Sequence, residues 1–208
     1  MDILKVKYAM EAGKSSSRTE LRTFFKVERK RLPPEERRRL SESAQRRIWE
    51  EIRRFKAETV ALYMAVNGEV ETDFLLRESW AAGLNVLLPL CDKARPGCMD
   101  MVPCSGPEDL RPGYCGIPEP VCPEPSRAVK PDLIVVPGLA FDSQGFRLGM
   151  GGGFYDRLLT GPEYAGAMRL GLAYSFQVVD FLPHEAWDVP VHAVCTEKGI
   201  VWTQSPSP

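Results

Sequence analysis

No apolar run in the chain reaches the ~18 residues that a membrane-spanning helix needs. No CxxC pair occurs, and only His184 and His192 offer imidazole, so a zinc site built on paired short spacings is disfavoured. A net charge of −1 removes any global electrostatic case for nucleic acid or a membrane surface. No Gly-Lys-Ser/Thr follows a glycine run, which excludes a Walker A loop, and no internal repeat is visible. Residues 1–17 lack the apolar core and cleavage site of a signal peptide. They read as a flexible extension in which Met10 is an alternative start.

What is present suits one α/β domain over residues 18–202, followed by a polar tail at 203–208. The 208 residues set a prior for a single domain able to bury a real core. Six cysteines occur, five of them between Cys91 and Cys122, and reduced thiols in the cytoplasm are the expectation. Between Arg18 and Arg54, 13 basic residues face 7 acidic ones. This predicts two solvated amphipathic helices, with some cations available to a polyanionic ligand.

The first helix is expected over Arg18–Arg31, with Leu21, Phe24, Phe25 and Val27 on its apolar side. The second is expected from Glu35 to Phe55 after Pro33-Pro34, with Leu40, Ala44, Ile48, Ile52 and Phe55 in register. Buried strands are predicted at Thr59–Ala65, Asn85–Leu90, Met99–Pro103, Asp132–Pro137, Arg169–Tyr174 and Ala193–Thr196. Thr72–Ala82 reads as a helix with Thr72 as N-cap and Gly83 as its stop. Gly68 is the pivot of the loop at 66–70. Residues 91–131, rich in Pro, Gly and Cys, read as an irregular excursion with short strands. The alternation predicts a layered α/β fold, with a mostly parallel central sheet flanked by helices and an N-terminal helical pair.

The segment RLGMGGGFYDR at 147–157 carries the chemistry. Glycines at 149, 151, 152 and 153 allow positive φ and close backbone approach. Their N–H groups can form an anion nest, and a helix starting near Gly153 adds to it. Arg147 offers a cationic fork for phosphate oxygens. Asp156 beside phosphates calls for an intervening cation, which suggests Mg²⁺. The spacing is not a Rossmann fingerprint.

VPGLAFD at 136–142 followed by RLGMGGGFYDR resembles the signature of the 5-formyltetrahydrofolate cyclo-ligase family. RTELR at 18–22, GEVET at 68–72, MDM at 99–101, GIPEP at 116–120 and DVPVHAVCTEKGI at 188–200 match in order. The resemblance implies an enzyme that uses ATP and Mg²⁺ to turn 5-formyltetrahydrofolate into 5,10-methenyltetrahydrofolate, cytoplasmic and monomeric, with no nucleic-acid or membrane partner. It implies that Arg22, with Arg18 beside it, contacts ATP phosphate. Arg147 and the backbone of Leu148, Gly149, Met150, Gly151, Gly152, Gly153, Phe154 and Tyr155 cradle the triphosphate, Gly151 to Tyr155 also touching the folate. Arg147 and Tyr155 serve catalysis. Asp156 and Asp188 ligate Mg²⁺, and Met64 and Glu69 meet the folate, Glu69 at polar edges of the pterin or the reacting region. Cys115 stands where the family has an aromatic against the folate, so Tyr114 is the expected substitute. Arg18 stands for a lysine and Phe154 for the first tyrosine of YYD. Two alternatives stay open: an inactive paralogue binding ATP or folate in a regulatory role, and a nucleic-acid binder using the basic helices.

Overall fold

Ser17 and Glu20 form a reciprocal capping box that starts helix α1 (Arg18–Arg31). Pro34 occupies the first turn of α2 (Pro34–Arg54), where its missing N–H is harmless. The computed structural model of the chain describes residues 17–121 and 129–203. The expected extension over 1–16, the end of the tail and Cys122 lie outside the described residues.

The chain continues as β1 (Thr59–Ala61), α3 (Asp73–Ala81), β2 (Asn85–Cys91), β3 (Met99–Pro103), β4 (Leu110–Pro112), β5 (Pro118–Pro120), β6 (Leu133–Pro137) and β7 (Ala140–Asp142). It ends with β8 (Arg147–Leu148), α4 (Phe154–Leu159), β9 (Met168–Leu172), β10 (Val178–Val179), β11 (Ala193–Thr196) and β12 (Gly199–Trp202). Seven strands form the central sheet in the order β12-β11-β9-β6-β1-β2-β3. The inner strands from β11 to β2 run parallel, and β12 and β3 add antiparallel edges. This is the mostly parallel layered sheet that the alternation predicts.

Side-chain alternation splits the core between the two faces. Val60, Leu88, Leu133, Val135, Leu170 and Ala193 pack with Ala44, Ile48 and Ile52 of α2 and with Leu75 of α3. Ala61, Leu87, Ile134, Val136 and Val194 pack with Leu158 and Leu159 of α4. Helix α1 leans instead on the small sheet β10-β7-β8, burying Leu21, Phe24 and Phe25 against Leu139, Ala140 and Leu148. Gly171 of β9 is required by this packing, because a Cβ there would stand 2.7 Å from the Phe141 ring. Gly171→Ala should therefore destabilise by about 1–3 kcal/mol. That corresponds to a melting-temperature loss of roughly 2–12 °C by calorimetry.

Several local expectations change. Strand β1 stops at Ala61 rather than Ala65, since only Leu62 keeps a sheet bond, its N–H to Leu87 O, and Tyr63 turns to donate its hydroxyl to Val70 O. Thr72 holds the N-cap position of α3 but does not cap it, because its hydroxyl donates to Tyr63 O at 2.6 Å. The buried Gln45 of α2 supplies the cap, its Oε1 accepting from Phe74 N and Leu75 N at 2.9 and 3.1 Å. Val27 is 43% exposed, off the apolar face of α1. The β4–β5 ribbon supplies short strands within the excursion at 91–131, whereas the small sheet was not expected, its strands of two or three residues being set by tertiary pairing.

Candidate active site

A cavity of about 500 Å³ opens beyond the carboxyl ends of β1, β2 and β6, where parallel sheets place their ligands. Its lining comes from Tyr63, Met64 and Glu69 after β1, Pro89 and Cys91 of β2, and Pro137 to Leu139 at the end of β6. The glycine-rich loop, Arg18 and Arg22 of α1, Tyr114, Glu119 and the segment around Trp187 and Asp188 complete it.

The loop is shaped by its neighbours. Asp142 closes the β7–β8 turn, its Oδ1 accepting from Gln144 N and Phe146 N and its Oδ2 from Leu182 N. Burial raises its pKa against these hydrogen bonds. Gly145 takes φ +89° in that turn, and Gly151 and Gly153 take φ +105° and +68° further on. Gly153 is a left-handed N-cap to the six-residue α4. Arg157 turns away from the cavity and ties the loop to the β2–β3 hairpin through Gly97 O, at 2.6 and 2.8 Å, and through Gly152 O.

Two arginine–aspartate pairs meet the loop. Arg147 Nη2 donates to Asp156 Oδ1 at 2.9 Å, and its guanidinium lies 5.6 Å from the Tyr155 ring centroid. Burial lowers the Arg147 pKa, which Asp156 and Tyr155 oppose. Arg18 Nη1 donates to Asp188 Oδ2 at 2.8 Å, while among the described residues its buried Nε has no hydrogen-bond partner. Arg22 Nε donates to Gly149 O at 3.0 Å. Among the described residues no group of three or more His, Cys, Asp or Glu could hold a metal alone. Asp156 and Asp188 both line the cavity and suit Mg²⁺ by type, since it commonly takes one or two carboxylates and fills its sphere from phosphates and water.

Among the described residues the buried Tyr155 hydroxyl has no hydrogen-bond partner, and burial pushes it well above the ordinary phenol range. Tyr155 also lines the cavity, so its hydroxyl is available to a ligand acceptor. Glu69 is also buried. Val66 N donates to its Oε2 at 3.1 Å, and Arg29 Nη1 lies 3.8 Å from its Oε1. Desolvation raises the Glu69 pKa, and Arg29 opposes that rise.

The structure thus brings Arg18, Arg22, Met64, Glu69, Tyr114, Arg147, Gly149, Met150, Gly151, Gly152, Gly153, Phe154, Tyr155, Asp156 and Asp188 around one cavity. Leu148 and Cys115 do not line it. The Leu148 side chain is buried against α1, and its backbone carbonyl accepts from Leu139 N at 2.7 Å. Cys115 sits at φ +54° and is exposed, while the preceding Tyr114 borders the cavity with its ring 6.1 Å from that of Phe154. His184 stacks on Phe146, and His192 accepts from Arg169 N through Nδ1, so neither enters the site.

Sequence reasoning passed over Arg29, Glu119 and Trp187. Arg29 is 1% exposed, donates through Nη2 to Gly138 O, and stands behind Glu69. Its signal was spacing: Arg18, Arg22, Phe25 and Arg29 follow one another at i, i+4, i+7 and i+11 on a single stripe.

Comparison with known proteins finds a matching family model and solved structures of the same fold. The model of the 5-formyltetrahydrofolate cyclo-ligase family matches residues 14–197. The 5-formyltetrahydrofolate cyclo-ligase of Escherichia coli K12 is 36% identical over 148 residues, covering 69% of this chain and 80% of that protein. Its counterpart from Haemophilus influenzae is 35% identical over 144 residues, covering 67% and 76%. The solved structure of 5,10-methenyltetrahydrofolate synthetase from Aquifex aeolicus superposes with a TM-score of 0.78 at 36% identity, covering 92% of this chain and 95% of that one. That from Mycoplasma pneumoniae, at 22% identity and a TM-score of 0.68, shares the fold.

Proposed function

We propose, from the premise that this chain belongs to the 5-formyltetrahydrofolate cyclo-ligase family and is a ligase, that it converts 5-formyltetrahydrofolate to 5,10-methenyltetrahydrofolate at the expense of ATP. The observation that carries this reading is the Arg147–Asp156 pair beside the unpartnered Tyr155 hydroxyl, all on one glycine-rich cavity wall. The formyl oxygen attacks the γ-phosphorus of ATP and ADP leaves. N10 then closes on the formyl carbon, and the oxygen departs with inorganic phosphate.

An amide-like formyl oxygen is a weak nucleophile, so the protein's task is alignment and charge neutralisation. Arg147, held by burial in one orientation, presents its fork to the transferred phosphoryl oxygens. Arg22 and Arg18 hold the rest of the triphosphate against the N–H groups of residues 149–155. Asp156 and Asp188 would hold Mg²⁺, which when bound withdraws charge from the phosphate oxygens. Tyr155 donates its hydroxyl to the folate near the reacting nitrogens, and Met64 and Phe154 supply apolar contact. Tyr114 takes the aromatic place that Cys115 leaves.

No helix among the described residues is long and apolar enough to cross a membrane. The reading extends to a cytoplasmic monomer. Purified protein mixed with 5-formyltetrahydrofolate, ATP and Mg²⁺ should develop methenyl absorbance. Absence of product at high enzyme concentration would sink the assignment.

A further inference from the structure

Five carboxylates border the cavity: Glu69, Glu119, Asp156, Glu185 and Asp188. Asp156 faces Arg147, Asp188 faces Arg18, and Glu69 faces Arg29. Glu185 is exposed and needs no counter-charge. Glu119 is different. It is 8% exposed, and among the described residues no arginine, lysine or histidine pairs with it. Among the described residues its donors both belong to Cys91: the backbone N, 3.2 Å from Oε1, and the thiol, whose pKa burial and then this carboxylate push up to about 12. An ionised carboxylate offers about four acceptor positions, so part of this one's capacity is left for a ligand.

The surroundings are built to keep the carboxylate there. A Cβ at residue 113 would stand 2.2 Å from Glu119 Oε2, so a larger residue there would displace the carboxylate. The β4–β5 ribbon fixes its backbone, with Arg111 opposite Glu119. Tyr114 and Phe154 place tilted rings at the same end of the cavity, and Ile117 and Cys91 add an apolar wall. A largely buried carboxylate served by Cys91 but by no cation gains when a ligand brings further N–H groups to it. The flat aromatic and apolar walls select a planar heterocycle as the carrier of those groups.

We infer that Glu119 is the specificity-determining residue for the pterin of the folate, accepting from its ring N3–H and 2-amino group. This inference rests on the cyclo-ligase reading. It shifts polar-edge recognition from Glu69, whose Oε2 is occupied by Val66 N and whose Oε1 faces Arg29. Glu69 is left to the reacting region.

The test measures equilibrium binding of 5-formyltetrahydrofolate and of its analogue lacking the 2-amino group, without ATP, to the full chain and to Glu119→Ala. The full chain should bind the analogue about 10- to 150-fold more weakly than the folate, the range for hydrogen bonds to a charged group. Glu119→Ala should weaken folate binding by a similar factor and bind the two ligands equally well, with its affinity for ATP unchanged. If Glu119→Ala does not fold, as judged by its melting curve, Glu119→Gln keeps the volume and should still narrow the discrimination to below about one third of that of the full chain. An analogue penalty that survives in the folded variant overturns the inference, and so does unaltered folate affinity. A full chain that binds no 5-formyltetrahydrofolate at all overturns the cyclo-ligase reading itself, a result distinguishable from the first two.

Discussion

Arg147→Ala should lower turnover by about 10³-fold or more while the protein stays folded, and Asp156→Asn by at least ~10²-fold. The arginine is buried and its guanidinium is fixed by Asp156 at 2.9 Å and by the Tyr155 ring, so it is organised before any ligand arrives. Removing it takes away a cation that no neighbour replaces on that wall. Arg147→Lys should not rescue it, because an ammonium cannot reproduce the planar fork toward both Asp156 and a phosphoryl group. Asp156→Asn keeps the shape and a hydrogen-bonding oxygen for Arg147 but loses the charge that a divalent cation requires. Rates of methenyl formation, read beside melting curves, check both. Full activity in either variant would remove the residue from the phosphate site.

Arg29→Met is the substitution with the largest expected effect on stability. The Arg29 guanidinium is enclosed between Gly138 O and Glu69, and burial lowers its pKa while Glu69 opposes that. Breaking a buried pair from one side leaves the other charge without compensation, at about 3–5 kcal/mol. The expected fall in melting temperature is roughly 6–20 °C. The double variant Arg29→Met/Glu69→Gln should recover part of it, since no orphaned carboxylate remains. The loss also has a pH signature. Glu69 is raised above the ordinary 4.5 by burial and held back by Arg29. Without Arg29 it rises further. A carboxyl raised in the folded state stabilises below its unfolded pKa and loses that contribution as pH climbs through the folded value. The deficit of Arg29→Met should therefore be smaller near pH 5 than near pH 7.5. An equal deficit at both would show that Glu69 does not carry it.

The central sheet was legible because strands such as Leu133–Pro137 are continuous apolar runs, as strands buried on both faces must be. The glycine loop was legible because its backbone geometry is local, with Gly151 and Gly153 at positive φ. Arg29 was not, since a basic residue in a basic helix reads as solvated unless its neighbours are known. Gln45 was invisible for the same reason: capping α3 from α2 is a tertiary act. Cys115 gave a misleading signal. In sequence it occupies the aromatic's place, yet its left-handed backbone turns it outward and leaves Tyr114 to face the cavity. Glu119 carried no flag, because what sets it apart is the cation it lacks.

The Arg18–Asp188 contact joins residues 170 positions apart, and the cavity between them draws on segments spread over the same span. Loop-closure entropy makes such pairings late events in folding. Helices α1 and α2 leave the ribosome early, with a stripe of cations and nothing to enclose. Until the segment carrying Glu185, Trp187 and Asp188 docks, the cavity lacks that part of its lining. Completion of the site therefore waits on a long-range docking event, and a chain cut before residue 185 should bind ATP more weakly than the full chain.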